Sequence, residues 1–92
     1  MLPRMPEVEV NYRGANLHME VDVDSASLSI NGLERDRKPL SPGHTVRLSS
    51  TVQTDYEWHE FVEGVLEVSE RQVKLTLTAN SQVLLEEVLE QT

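Results

Sequence analysis

Cysteine is absent from the 92 residues of this chain. The absence excludes disulfide bonds and thiolate chemistry, so the fold must rest on an apolar core. Small secreted domains usually depend on disulfides, whereas a reducing compartment does not supply them. We therefore expect a cytoplasmic protein.

Long apolar runs are also missing. Residues 1–6 contain two prolines and lack the apolar run of a signal peptide, and no stretch reaches the length of a transmembrane helix. Hydrophobic residues make up 38% of the chain and are evenly spread, which is typical of a globular protein. We expect one globular domain over residues 1–92, with 1–6 loosely ordered, and no membrane partner.

Basic residues are scarce, since 8 Lys and Arg face 16 Asp and Glu and the net charge is −8. Between Arg47 and Arg71 the chain has no basic residue at all. Phosphate binding requires clustered cations, so no nucleic-acid partner is expected. Half of the cations lie just before this span, and they are Arg35, Arg37, Lys38 and Arg47. Glu34 and Asp36 are interleaved with them, as in a solvated loop.

Aromatic residues number only four, and three of them, Tyr56, Trp58 and Phe61, fall in one short stretch. Such side chains dominate the core energetics of a small domain, so we expect the fold to be arranged around this segment. Trp58, Phe61 and the valines that follow them recur at helical spacing, which favours a short helix over about 54–63.

Two further features agree with that helix, and one pattern opposes it. Thr54 and Glu57 have the spacing of a capping box, and Gly64 suits a helix end. A strand remains the alternative, because Tyr56, Trp58 and other even-numbered residues continue the apolar face of the preceding segment.

Elsewhere, apolar and polar residues alternate as in half-buried strands, over 8–12, 17–23, 28–30, 46–52 and 73–78. Asn31-Gly32 predicts a tight turn, but the residues after it are too charged to predict a hairpin partner, and 34–44 is interpreted as a loop. Asn80 or Ser81 can cap a C-terminal helix, whose apolar side is formed by Leu84, Leu85, Val88 and Leu89.

Strands that are apolar on one face build antiparallel sheets that need a cover. The predicted fold is therefore an α+β two-layer sandwich. Its mainly antiparallel sheet is covered on one face by the C-terminal helix and by the second short helix over about 54–63.

One motif resembles a metal site. His59 and Glu63 would face one another on a helix, with Glu60 beside them, which is the zinc-peptidase pattern with Glu in place of the second His. The pattern needs a second histidine, and the spacing does not indicate a third ligand from His18 or His44. A solvated helix face explains these residues, so we predict no metal site and no cofactor.

No spacing singles out a nucleophile or a catalytic residue. The sequence does not name a function. We favour a non-catalytic interaction or regulatory protein that binds a protein partner or forms a homodimer. Tyr56, Trp58 and His59 are the candidate partner-binding residues. An exposed edge strand and a polar sheet face are the other candidate surfaces, the latter formed by Ser49, Thr51, Gln53, Thr76 and Thr78.

The alternative is a small enzyme or ligand-binding domain with a pocket near the segment from Tyr56 to Phe61. There His59 would act as acid or base together with Asp55 or Glu57.

Overall fold

A computed structural model describes residues 7–22, 24–53 and 59–90, the last two of them through their backbone alone. This part of the chain forms eight strands and no helix, hence no helix that could cross a membrane. The strands are β1 (Glu7–Tyr12), β2 (Ala15–Val21), β3 (Ser25–Ile30), β4 (Leu33–Pro39), β5 (Thr45–Gln53), β6 (His59–Val68), β7 (Gln72–Ala79) and β8 (Gln82–Glu90).

Each strand pairs antiparallel with its neighbour in the chain. The first four form one sheet in the order β1-β2-β3-β4, and the last four form a second sheet in the order β5-β6-β7-β8. Three hairpins close through two residues that both have positive φ, at Arg13-Gly14, Asn31-Gly32 and Asn80-Ser81. Such turns match the right-handed twist of the strands they join.

The apolar faces of the two sheets form a single core. Met19 of β2 and Leu48 of β5 are fully buried there, together with Leu66 and Leu75 of the second sheet. The sheets approach closely where β2 crosses β6. A Cβ added at Gly64 would collide with the thioether end of Met19, so this glycine leaves room for a side chain of the opposite sheet.

The predicted helix over 54–63 is wrong from His59 onward, because residues 59–68 are strand β6; residues 54–58 lie outside the described part of the chain. Even-numbered residues of β6 point into the core and odd-numbered ones point outward. Phe61 and Val65 are on the outer face and Val62 is on the inner face. These residues therefore do not form the single apolar stripe that the helical spacing predicted. Gly64 lies in the middle of the strand instead of ending a helix.

The predicted C-terminal helix is also wrong, because Gln82–Glu90 is strand β8. Leu77 pairs with Leu85 and Thr78 pairs with Val83, so Leu84 is an extra residue in a β-bulge. One added residue shifts the alternation of apolar positions and places two leucines in succession, which imitates a helical stripe. Asn80 and Ser81 form a hairpin turn and cap no helix.

With both helices absent from the described chain, the α+β sandwich is replaced by an all-β one in which each sheet covers the other. The predicted loop over 34–44 is likewise wrong over most of its length, because Leu33–Pro39 is strand β4 and pairs with β3. All of its residues are exposed except the half-buried Asp36, which explains why its sequence shows no apolar alternation.

Candidate functional site

Glu60 is a carboxylate placed in the core by the inward face of β6, with only 4% of its surface exposed. Its Oε1 accepts hydrogen bonds from the Tyr12 hydroxyl at 2.8 Å and from Asn80 Nδ2 at 2.8 Å. Arg13 Nη1 donates to the same oxygen at 3.3 Å. Oε2 is also buried and has no hydrogen-bond partner among the described residues. These four residues are called the Glu60 cluster below.

Two tight turns position the donors of the Glu60 cluster. Arg13 belongs to the β1–β2 turn, Tyr12 is the last residue of β1 directly before it, and Asn80 begins the β7–β8 turn. Asn80 is fixed by β6, because its backbone N–H donates to Phe61 O at 2.8 Å and its Oδ1 accepts from Phe61 N at 3.0 Å. The cluster therefore connects the first sheet with two strands of the second.

The electrostatics of the Glu60 cluster favour a structural role over a chemical one. The hydrogen bond to Glu60 raises the pKa of the Tyr12 hydroxyl, partial burial adds to this, and the charge of Arg13 opposes it. Tyr12 therefore keeps its proton and donates it to Oε1. Oε1 of Glu60 accepts from three donors, which hold it in contacts with the first sheet and with the β7–β8 turn. The cluster joins the sheets.

Of the three residues predicted to bind a partner, the structure describes only His59. His59 is exposed and opens β6, where it pairs with Gln53. Tyr56 and Trp58 lie outside the described residues. His59 points outward while Glu60 points inward, so neighbouring positions serve opposite faces.

The helical metal pattern fails for a geometric reason. His59 and Glu63 are four residues apart on one face of a strand, a separation of about 13 Å. A single ion cannot bridge that distance. The helix that would have brought them together does not form over the described residues.

A different trio of residues does converge on the outer face of the first sheet. Ligand atoms of Glu7, His18 and Glu20 lie within 4.8 Å of one another. His18 Nε2 lies 3.2 Å from Glu7 Oε2, which makes a hydrogen bond or, with a protonated ring, an ion pair. This contact between the adjacent strands β1 and β2 accounts for the proximity without a metal.

We predict that Glu7, His18 and Glu20 do not form a specific zinc site. The side chain of Glu7 is 58% exposed, and fixing an exposed carboxylate in a coordination shell costs conformational entropy. Titration calorimetry of the metal-free protein with Zn²⁺ should give no stoichiometric submicromolar binding. Such binding, lost in His18→Ala and kept in the control His59→Ala, would contradict the prediction.

The basic group predicted from the sequence is used within the fold. Arg37 pairs with Glu34 at 2.7 Å, and Arg47 pairs with Glu63 at 3.4 Å. Lys38 Nζ donates to the backbone oxygen of Arg47 at 2.7 Å. Three of the four basic residues thus have partners within the fold, and Lys38 links β4 to β5.

The polar sheet face is present on the outside of the second sheet. Thr51 is exposed on β5 and pairs with Phe61, whose side chain is 49% exposed; Thr76 and Thr78 are half-buried on β7. Scattered exposed side chains of this kind are common on protein surfaces.

Strand β8 is the most exposed apolar element of the described chain. None of its residues from Gln82 to Val88 is buried, although four of these seven are apolar. Val83 is 55% exposed and Val88 is 53% exposed, while Leu84 and Leu85 are half-buried. Within the described residues β8 pairs with β7 alone, so its second edge carries unpaired backbone N–H and C=O groups. This edge and its side chains are called the β8 edge.

The other sheet edges differ from the β8 edge. On the free edge of β5, Ser49 N donates to Asp36 Oδ2 at 3.0 Å, and Lys38 Nζ donates to the carbonyl oxygen of Arg47. Side chains of β4 therefore cover this edge. Strand β1 has an edge of its own, but its exposed side chains include Glu7 and Glu9 and no large apolar one. The remaining edge strand, β4, exposes one large apolar side chain, Leu33, among charged residues, so β8 alone of the described strands combines an unpaired edge with two exposed valines.

The β8 edge also carries charges. Glu86 lies on the outer face and pairs with Lys74 at 3.4 Å, with about half of each side chain exposed. Glu87 lies on the opposite, inner face, where it is directly across from the fully buried Leu75, and it is nevertheless exposed. A charge pointing inward from an edge strand is a known protection against uncontrolled strand pairing.

Comparison with protein-family models, with curated proteins and with solved structures finds no match. Function must therefore be inferred from the geometry of this chain.

Sequence reasoning missed both the Glu60 cluster and the β8 edge. The alternative interpretation of this segment as a strand could have found Glu60. In that strand the even-numbered residues form the buried face, and Glu60 is one of them. The β8 edge had no comparable pattern, because the bulge at Leu84 hides the alternation.

Proposed function

We propose that this chain is a non-catalytic interaction protein that binds an extended segment of another protein along the β8 edge. The observation that carries the proposal is the exposure of Val83 and Val88 on a strand with one unpaired edge. A partner segment would add a fifth strand to the second sheet. Backbone hydrogen bonds supply affinity in this mode of binding, and alternate side chains supply specificity.

The energetics support an added strand. A fully buried valine gains about 1.5–3 kcal/mol relative to an exposed one, so covering the exposed half of each valine contributes about 1 kcal/mol. The unpaired backbone groups of the edge already lie in an extended conformation, because β7 holds them there. The domain therefore pays little conformational entropy on binding, and most of the ordering cost falls on the partner.

A second copy of this chain fits the edge poorly. In an antiparallel pair of β8 strands, a register centred on Glu86 or on Glu87 sets that carboxylate against its own copy. A register centred on Val88 sets Glu86 against position 90 of the copy, which is also Glu. Registers centred closer to the start of β8 include the bulge at Leu84, which interrupts regular strand pairing. Like charges directly opposite each other destabilise a sheet, so the proposal commits to a different protein.

The setting of this interaction is part of the same proposal. We place it in the cytoplasm, which the absence of cysteine favours, with a protein partner in place of nucleic acid or membrane. An enzyme would need titratable groups that converge. His59 and Glu60 diverge on opposite faces of β6, so this pair does not supply them.

Site-specific photo-crosslinking in the native host tests the proposed function. A photoreactive residue at Val88 should give an adduct with an extended segment of another protein, identified by mass spectrometry. The matched control is the same residue at Leu33, which is 65% exposed on the charged strand β4. A synthetic copy of the captured segment should then protect β8 amides from hydrogen exchange, and the protein alone should be monomeric by light scattering.

Three outcomes would contradict this function. They are self-adducts from position 88, equal adducts from positions 88 and 33, and a captured segment that leaves β8 amides unprotected.

A further inference from the structure

We infer that the segment bound by the β8 edge is basic and carries the pattern apolar–basic–basic–apolar opposite Leu85, Glu86, Glu87 and Val88. This inference rests on the proposed function and adds the chemistry of the partner. It follows from which face each of the four β8 positions occupies.

Glu86 defines the first basic position. It is on the outer face of β8, where Lys74 of β7 pairs with it from one side at 3.4 Å. An added strand would place a residue on its other side, directly opposite. Lys74 contacts Glu86 diagonally, because Thr76 is the residue directly across from Glu86, and a lysine or arginine on the added strand would give this carboxylate a second cation. Opposite charges in such cross-strand pairs stabilise a sheet.

Glu87 defines the second basic position and is the more selective of the two. It lies on the inner face at the rim of the core, across from Leu75. A neutral strand laid against it would remove water from this carboxylate without replacing its hydrogen bonds, which is unfavourable. A cation from the partner offsets that loss. Glu87 therefore rejects neutral and acidic strands and admits a basic one.

Leu85 and Val88 define the apolar positions. Leu85 is half-buried on the inner face, and an apolar residue opposite it would extend the core by one side chain. Val88 is exposed on the outer face beside Lys74, and an apolar residue opposite it would cover the exposed surface. The resulting four-residue pattern reads the same in both directions, so it applies to a parallel or an antiparallel partner.

Three synthetic peptides of equal length test the inference on the full chain. Their central residues are Val-Arg-Arg-Val, Val-Thr-Thr-Val and Val-Glu-Glu-Val, and binding is measured by fluorescence anisotropy together with hydrogen exchange of β8. The basic peptide should bind about tenfold more tightly than the threonine peptide, as two favourable cross-strand pairs imply. Added salt should reduce this difference.

Charge reversal supplies the control. Glu86→Lys/Glu87→Lys should invert the order, so that the acidic peptide binds best. Glu9→Lys/Glu67→Lys changes the net charge equally at exposed positions on β1 and β6 and should preserve the original order. Both variants change only exposed side chains and should keep the fold.

Each failure has a separate meaning. Equal binding of the basic and threonine peptides, or an unchanged order in Glu86→Lys/Glu87→Lys, overturns the basic partner while leaving strand addition in place. A loss of preference in Glu9→Lys/Glu67→Lys reduces the effect to net charge and overturns the site. If no peptide protects β8 from exchange, the proposed function itself is contradicted.

Discussion

Gly64→Val is expected to lower the free energy of unfolding by about 3 kcal/mol, the upper end for side chains forced into a packed core. Met19 is fully buried, and its thioether end occupies the position where a Cβ would lie. The flexible end of Met19 would have to move, and in a close-packed interior such a shift displaces neighbouring side chains. For a domain with a total stability of roughly 5–10 kcal/mol, this is a large loss. The midpoint of urea unfolding measures it.

A compensating change distinguishes this contact from general damage. Met19→Ala alone should cost about 2–5 kcal/mol through the cavity it leaves. In the double variant Met19→Ala/Gly64→Val the new valine fills part of that cavity. The double variant should therefore lose less stability than the sum of the losses of the two single variants. Val65→Ile, which adds bulk on the outer face of the same strand, should change stability little. Strictly additive losses would show that the two sheets do not meet at this point.

Glu60→Ala is expected to destabilise the protein by about 1–3 kcal/mol, because a hydrogen bond to a charged group contributes about 1.5–3 kcal/mol and water can replace part of it at the exposed Asn80. The Tyr12 hydroxyl and the Asn80 amide would both lose their partner at 2.8 Å. Arg13 adds little, since its side chain is 48% exposed and water can replace the carboxylate. Chemical unfolding at neutral pH is the measurement.

Alkaline pH provides a second readout of the Glu60 cluster. The folded pKa of Tyr12 is raised, so its contribution to stability is complete below the unfolded pKa of about 10 and is lost as pH rises through the folded pKa. Tyr12→Phe keeps the ring and removes the ionisable group, so its unfolding free energy should fall less over this range. A Glu60→Ala variant within about 0.5 kcal/mol of wild type would show that the cluster does not join the sheets.

The part of the fold that could be predicted from the sequence is the part in which each strand buries one face. The strands β1, β2, β3, β5 and β7 were predicted within a few residues, because their apolar residues alternate without interruption. The mainly antiparallel pairing was confirmed as well.

Strand β6 shows where that reasoning fails. Two of its inner positions hold Glu60 and Gly64, neither of which is apolar, while Phe61 and Val65 lie outside. Both exceptions have tertiary causes, since Oε1 of Glu60 accepts hydrogen bonds from side chains distant in the chain and Gly64 accommodates Met19. No local pattern contains that information.

Strand β4 fails for the opposite reason. None of its residues is buried, so its sequence shows no alternation of apolar and polar residues. Its polar side chains form hydrogen bonds with the backbone of β5 instead. Asp36 accepts from the backbone of Ser49, and Lys38 donates to the backbone of Arg47. Charged residues in a row therefore indicated a loop, although the Asn31-Gly32 turn before them was predicted correctly.

The order of strands has a consequence for how this protein folds. Every pairing joins strands that are adjacent in the chain, and three of the connections are two-residue turns. The entropy lost on closing such short loops is small, so each hairpin can form before the next one. All-β proteins generally fold slowly because their strands pair over long sequence separations. We expect this chain to assemble each sheet rapidly, and to be limited by the encounter of the two sheets at Met19 and Gly64.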